Sequence, residues 1–287
     1  MSTTSAATTR TRRSRTTLFA AVTGFATFAA SGAIAAGLGV RFNGGDGGNA
    51  RLECPRGMAR LGHVFDQNAS VFPGDPAPSV HLVADIPTNG FQVEEVQTGT
   101  HTGTHIDAPG HFIEGARTID DLAATEFVWP AYVVDVRPRM AATEDDGFQL
   151  TSEDIRAYER QNGKIAKGSM VIIRTGFDQL FRTPAFLEAA PGFSGDAVNW
   201  MVENRQIGGV GSDTFGPDAT SDADFSATYN ILAANKVALP GLNNLAALQT
   251  KGDLIIATAV ALRDGSGYQT DPLACLGREV RNDNDEG

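Results

Sequence analysis

The segment "TGTHTGTHIDAPGHF", residues 98–112, gathers His101, His105, Asp107 and His111: three of the chain's five histidines and a carboxylate. Imidazole nitrogen and carboxylate oxygen are ligands for zinc, manganese and similar ions. Imidazole also carries protons near neutral pH. A single ion needs its ligands to converge. A straight strand would hold residues four apart at about 13 Å, too far to share one ion. Gly103 and Pro109 disfavour a long helix. The spacing therefore predicts a tight turn at Gly103, then an extended piece on which His105 and Asp107 point to one side. A bend at Pro109-Gly110 then returns His111 towards the same point. His63 and His81 stand alone in strand-like runs and are expected to be satisfied structural residues.

The elements that must hold this loop can be read coarsely. "RLGHVFDQNASVFPGDPAPSVHLV" reads as strand, turn, strand, and "GFQVEEVQTGTHTGTHID" as an extended run into the histidines. "AYVVDVRP", "GSMVIIRTGF" and "DLIIATAVAL" read as buried strands, the last of them closing the fold. "TSEDIRAYERQNGK" predicts a helix capped by Thr151, with Asp154 three residues on and Gly163 at its end. "SGDAVNWMVENRQ" predicts a helix opened by Ser194, with Val198, Met201 and Val202 as apolar positions. "IGGVGSDTFGPD" reads as a strand followed by a glycine-rich loop. Together these predict a mixed α/β domain without internal repeats.

The chain has 287 residues and a formal net charge of −11. That balance argues against a nucleic-acid partner and against docking on an anionic membrane, and leaves a small-molecule substrate as the expected partner. The N-terminus differs from the rest. Its first acidic residue is Asp46, and four arginines in "TTRTRRSRTT" precede the apolar "LFAAVTGFATFAASGAIAAG". This pattern predicts a signal peptide over 1–36, of the Sec or twin-arginine type, with a transit peptide to an organelle as the alternative. A flexible linker follows over 37–51 and a folded domain over 52–287. After signal removal no stable membrane association is expected. In an exported chain the two cysteines, Cys54 and Cys275, are expected to form one disulfide.

"HTGTHIDAPGHF" matches the H-x-G-T-H-x-D-x-P-x-H-F signature of the metal-dependent cyclase family, which includes bacterial kynurenine formamidase and isatin hydrolase. "VFPGDPAPS", "GVGSDTFGPD", "LPGLNNLAAL" and "IIATAVALRDGSG" resemble further segments of that family, so the similarity covers roughly residues 60–280. It implies a swivelling β/β/α domain, a mixed sheet with flanking helices, homodimers or larger homo-oligomers, and hydrolysis of an amide C–N bond. Carried over by position, His101, His105 and Asp107 match the metal ligands and His111 the acid/base histidine. Two-metal members of the family supply a late histidine and a glutamate. Here no histidine follows His111, and Asn243 stands at the glutamate position. This resembles the single-metal, isatin hydrolase-like branch. One Zn²⁺ or Mn²⁺ is expected, with Asn243 as a fourth contact. Phe72, Phe91 and Phe112 flank these segments and are candidates to clamp an aromatic substrate.

Rival chemistries find less in the sequence. A serine hydrolase would want a G-x-S-x-G elbow and a late histidine, and neither exists here. "GGVGSDT" lacks the third glycine of a dinucleotide fingerprint. The non-catalytic alternative is a secreted metal- or ligand-binding protein that retains the cyclase fold.

Overall fold

The computed structural model describes residues 53–143 and 147–279. The expected signal peptide and linker therefore lie outside the described residues. Strands β1 (Met58–Arg60), β2 (Ser79–Ala84), β3 (Val93–Gln97), β4 (His105–Asp107) and β5 (Val128–Asp135) come first, with one short helix, α1 (Ile86–Asn89), between β2 and β3. Next are α2 (Arg137–Thr143), β6 (Gln149–Leu150), α3 (Ser152–Asn162), β7 (Met170–Arg174), β8 (Gly192–Phe193), α4 (Gly195–Arg205) and β9 (Gly209–Ser212). The chain then forms α5 (Ser226–Ala233), β10 (Val237–Leu239), β11 (Lys251–Ile256), β12 (Gly267–Gln269) and β13 (Leu273–Cys275).

Nine strands make one mixed sheet in the order β1-β13-β11-β5-β7-β9-β10-β4-β12. Its centre, β5-β7-β9-β10, is parallel, and the flanking pairs are antiparallel. A strand buried on both faces reads as a continuous apolar run, and β7 follows that rule. Met170 and Ile172 pack into one core cluster, while Val171 and Ile173 pack into the other. Helices α3, α4 and α5 cover this second face through Ile155, Met201 and Ile231. The fold class is the expected one, a mixed α/β sheet with flanking helices.

Local chemistry sets the helix starts. Thr151 caps α3 and accepts from the Asp154 N–H, while the Asp154 carboxylate reaches back to the Thr151 N–H. Ser194 caps α4 through the Ala197 N–H. Each such cap is worth about 1 kcal/mol.

Four expectations are corrected. Only β1 and β2 frame the "RLGHVFDQNASVFPGDPAPSVHLV" segment, and residues 61–78 between them form no strand. Strand β11 stops at Ile256, leaving Val260 and Leu262 exposed. It is not the last strand, because β12 and β13 follow and pair with β4 and β11. Helix α5 and strand β10 were not expected at all. Cys54 and Cys275 are disulfide-bonded, with Cα atoms 5.0 Å apart. That bond ties the start of the described chain to β13, beside the pairing of β1 with β13.

Candidate active site

Strand β4 sits between β10 and β12, so its side chains alternate between sheet faces. Ile106 enters the hydrophobic core. His105 and Asp107, also buried, turn to the other side, as the alternation requires. The turn before β4 is built on Gly103, whose φ of +65° suits a residue without Cβ. Thr104 pins this turn by donating its hydroxyl to the Gly241 carbonyl and accepting the His63 N–H. After β4, a 3₁₀ turn at Pro109–His111 brings His111 back over His101. The two rings stack with centroids 3.7 Å apart.

The four side chains converge. Asp107 Oδ1 accepts from His101 Nδ1 at 2.8 Å, and His105 Nε2 lies 3.2 Å from the same oxygen. One donor atom each from His101, Asp107 and His111 lies within 4.8 Å of the others. His105 Nδ1 donates to the Gly103 carbonyl. That bond fixes the tautomer, so in the neutral ring Nε2 presents a lone pair to the Asp107 carboxylate. Two acceptors facing each other at this distance need a proton or a metal cation between them. Two imidazoles and a carboxylate are a donor set that suits Zn²⁺ or Mn²⁺, and so the residues present fit such an ion.

The electrostatics agree with that geometry. Burial would raise the Asp107 pKa, but the His105 and His101 imidazoles outweigh it and hold the carboxyl far below its usual range. Burial alone would lower the His105 pKa, yet Asp107 and the Gly103 carbonyl raise it, so a proton can fill the negative site. Burial pulls His111 below the ordinary histidine value, against the pull of Asp107. A neutral His111 can accept a proton.

This cluster lines a cavity of about 590 Å³ together with Phe72, Phe112, Phe215 and Phe225. Phe72 and Phe112 line it. Phe91 does not: it is exposed just after α1 and does not line the cavity. Asn243 is also placed elsewhere. Its backbone N–H donates to the Leu61 carbonyl, its side-chain oxygen accepts the Asn244 N–H at 2.7 Å, and it is absent from the cavity wall. His63 stacks on Phe181 at 3.8 Å, outside this cavity. Its Nε2 is buried without a partner, so it is not the satisfied residue expected, and burial pushes its pKa down to about 4. His81 is exposed on β2.

Several site residues had no assigned role in the sequence reading. Ser266 binds His101 Nε2 at 2.8 Å from a position 165 residues away. Gly267 leaves room for His101, since a Cβ there would lie 2.7 Å from the ring. Phe215, Asp218 and Phe225 belong to the loop that opens after β9, and Asp75 to the Pro-Gly-Asp turn. Most of these lie in segments that carry family resemblance. Their roles depend on long-range folding, which spacing does not encode.

Residues 59–219 match the family model described as "Putative cyclase". The chain is 31% identical over 218 residues to the isatin hydrolase of Roseibium aggregatum, covering 70% of this chain and 82% of that one. It is 25% identical over 210 residues to the kynurenine formamidase of Bacillus cereus, covering 72% and 91%. Among solved structures, an isatin hydrolase bound to the product analogue thioisatinate superposes with a TM-score of 0.71 at 28% identity, covering 76% of this chain and 91% of that one. A histidine–aspartate cluster on β4, the mixed sheet around it and these similarities together show that the chain belongs to the cyclase family.

Proposed function

We propose that this chain is a metal-dependent amidohydrolase that cleaves the C–N bond of a small aromatic cyclic amide or N-formyl aryl amine. The observation that carries the reading is the convergence of His101, His105, Asp107 and His111 in an apolar, phenylalanine-lined cavity. His101, His105 and Asp107 would hold one Zn²⁺ or Mn²⁺. When bound, such an ion polarises a carbonyl and lowers the pKa of water.

The remaining work falls to the chain's own groups. His111 takes a proton from the attacking water at a ring nitrogen and returns it to the departing nitrogen, so that the amine leaves neutral. Stacking on His101 holds its ring in place. Ser266 fixes the orientation of His101 from Nε2, leaving Nδ1, beside Asp107, as the nitrogen that would face the ion. Phe72, Phe112 and Phe225 arrive from three separate loops and meet edge-to-face at 6.1–6.2 Å. An aromatic substrate ring can slot among them and exclude water from the reacting amide.

The homo-oligomer and the exported location belong to the same reading. The N-terminal pattern and the Cys54–Cys275 bond support export. The test of the activity is a panel of aryl formamides and cyclic amides, isatin among them, run against protein reconstituted with each ion. Turnover that requires the ion supports the reading. No turnover on any amide, with the ion bound, removes it.

A further inference from the structure

The cavity wall has a one-sided charge. Asp75, Asp107, Asp218 and Asp222 line it, and among the described residues no lysine or arginine does. Asp107 is engaged by imidazoles, and Asp218 accepts the Ala227 and Thr228 N–H groups at the start of α5. Asp75 and Asp222 are placed differently. Asp75 lies three residues after Phe72, and Asp222 lies three residues before Phe225. Phe72 and Phe225 meet edge-to-face at 6.2 Å. Both carboxylates line the same cavity as this aromatic contact. Asp75 is exposed and lines the same cavity as His105 and His111. Asp222 accepts from Ser226, which keeps its carboxylate fixed beside the cavity.

We infer that the site selects aromatic amides that carry no carboxylate of their own, and accepts neutral or cationic substituents on the ring. The inference rests on the amidohydrolase reading and deepens it. A divalent ion at the histidine cluster would attract the group being hydrolysed, but the substituents of a ring held among Phe72, Phe112 and Phe225 face Asp75 and Asp222. A like charge several ångström away in a partly wet cavity corresponds to roughly tenfold in affinity. Nothing in the wall offers the bidentate arginine by which proteins usually hold a carboxylate. The wall also bears on product release. Water adds its oxygen to the carbonyl carbon, the C–N bond breaks, the nitrogen takes a proton, and the new acid ionises. Where that carboxylate stays attached to the ring, substrate becomes an anion inside an acidic wall.

The experiment uses the full chain loaded with Mn²⁺ and three N-formylanilines that differ only in one ring tail: a propionamide, an ethylammonium or a propionate. The expected kcat/KM values for amide and ammonium agree within about threefold, and the propionate falls at least tenfold below them. Asp75→Asn should close much of that gap, because it removes one charge from an exposed loop and no hydrogen bond that holds the fold. Calorimetry with the matching unreactive N-acetyl compounds reads the same order without turnover. Equal kcat/KM for propionate and propionamide overturns the inference while leaving the amidohydrolase reading intact. Absence of hydrolysis with the binding order preserved does the reverse. Failure of all three tails to bind overturns the inference.

Discussion

Asp107 and Asp213 are both buried carboxylates at the ends of short buried strands, yet they do opposite things. Asp107 is met by two imidazoles, His101 at 2.8 Å and His105 at 3.2 Å. Asp213 is met by neutral donors: the Thr175 N–H at 2.9 and 3.0 Å, the Thr175 hydroxyl at 2.7 Å and the Gly176 N–H at 2.7 Å. Titratable partners hold Asp107 strongly ionised, and a cation can replace their protons. Burial, only partly offset by its donors, pushes Asp213 up to about 6. Asp213 is a strut that joins the chain after β7 to the chain after β9. Burial and residue type do not separate the two roles. The chemistry of the partners does.

The comparison breaks most readily at Asp107. Asp107→Asn removes the charge from the donor set, and the variant should lose the bound divalent ion. Turnover should fall on the order of 10³-fold or more, since an ion of this kind supplies several kcal/mol of charge stabilisation. Elemental analysis alongside the amide assay reads both effects. Retention of the ion at full occupancy would sink the ligand assignment.

His111 sharpens the contrast within the cluster. As the proton carrier it should tolerate His111→Asn structurally and keep the ion. Turnover should drop 10²–10⁴-fold, the usual range for one acid–base group. Its donor atom lies in the same 4.8 Å set as His101 and Asp107. Loss of the ion in parallel with activity would therefore reassign it as a ligand.

At Asp213 the expected loss is in stability instead. Asp213→Ala leaves the Thr175 and Gly176 N–H groups and the Thr175 hydroxyl buried without their acceptor. Each orphaned buried donor costs roughly 1–3 kcal/mol. Relaxation recovers part of that, so a loss of about 3 kcal/mol in urea unfolding is expected, with ion binding in the folded protein retained. A variant that unfolds like the parent but binds no ion would invert the two roles.

The residues that could be read in advance are those whose partners lie close in sequence. The turn at Gly103, the shared side of His105 and Asp107 and the return at Pro109-Gly110 follow from alternation and turn chemistry inside one segment. Helices α3 and α4 carry their own caps in Thr151 and Ser194. Helix α5 does not. Phe225 precedes it in a left-handed conformation with no capping side chain, and its first N–H groups are taken by Asp218 and Asp222 from the preceding loop. Nothing periodic in "SATYNILA" announces that arrangement. Strands β10, β12 and β13 have three residues each and exist through their pairing with neighbours. Asn243 illustrates the limit of positional matching. The family resemblance suggests it as a fourth metal contact, but its side-chain oxygen accepts the next residue's N–H.

The smallest expected effect concerns pH. Burial raises Asp213 and Asp218 from the ordinary 3.8 to about 6. Between those values the folded chain binds these protons more tightly than the unfolded chain does. The stability contributed is complete below about pH 4 and is lost as the pH rises through 6. From pH 5 to pH 7 a single group of this kind removes about 1 kcal/mol. Asparagine cannot ionise, so Asp213→Asn should flatten the fall by about that amount. The measurement is urea unfolding at both pH values with a chelator present, so that ion binding does not enter. Comparing slopes between parent and variant cancels the contributions of every other titrating group, which the two proteins share. Parallel slopes would mean that Asp213 is already ionised at pH 5, stabilised by its four hydrogen bonds. Asp213 and Asp107 would then share a charge state and differ only in whether their partners can be exchanged for a cation.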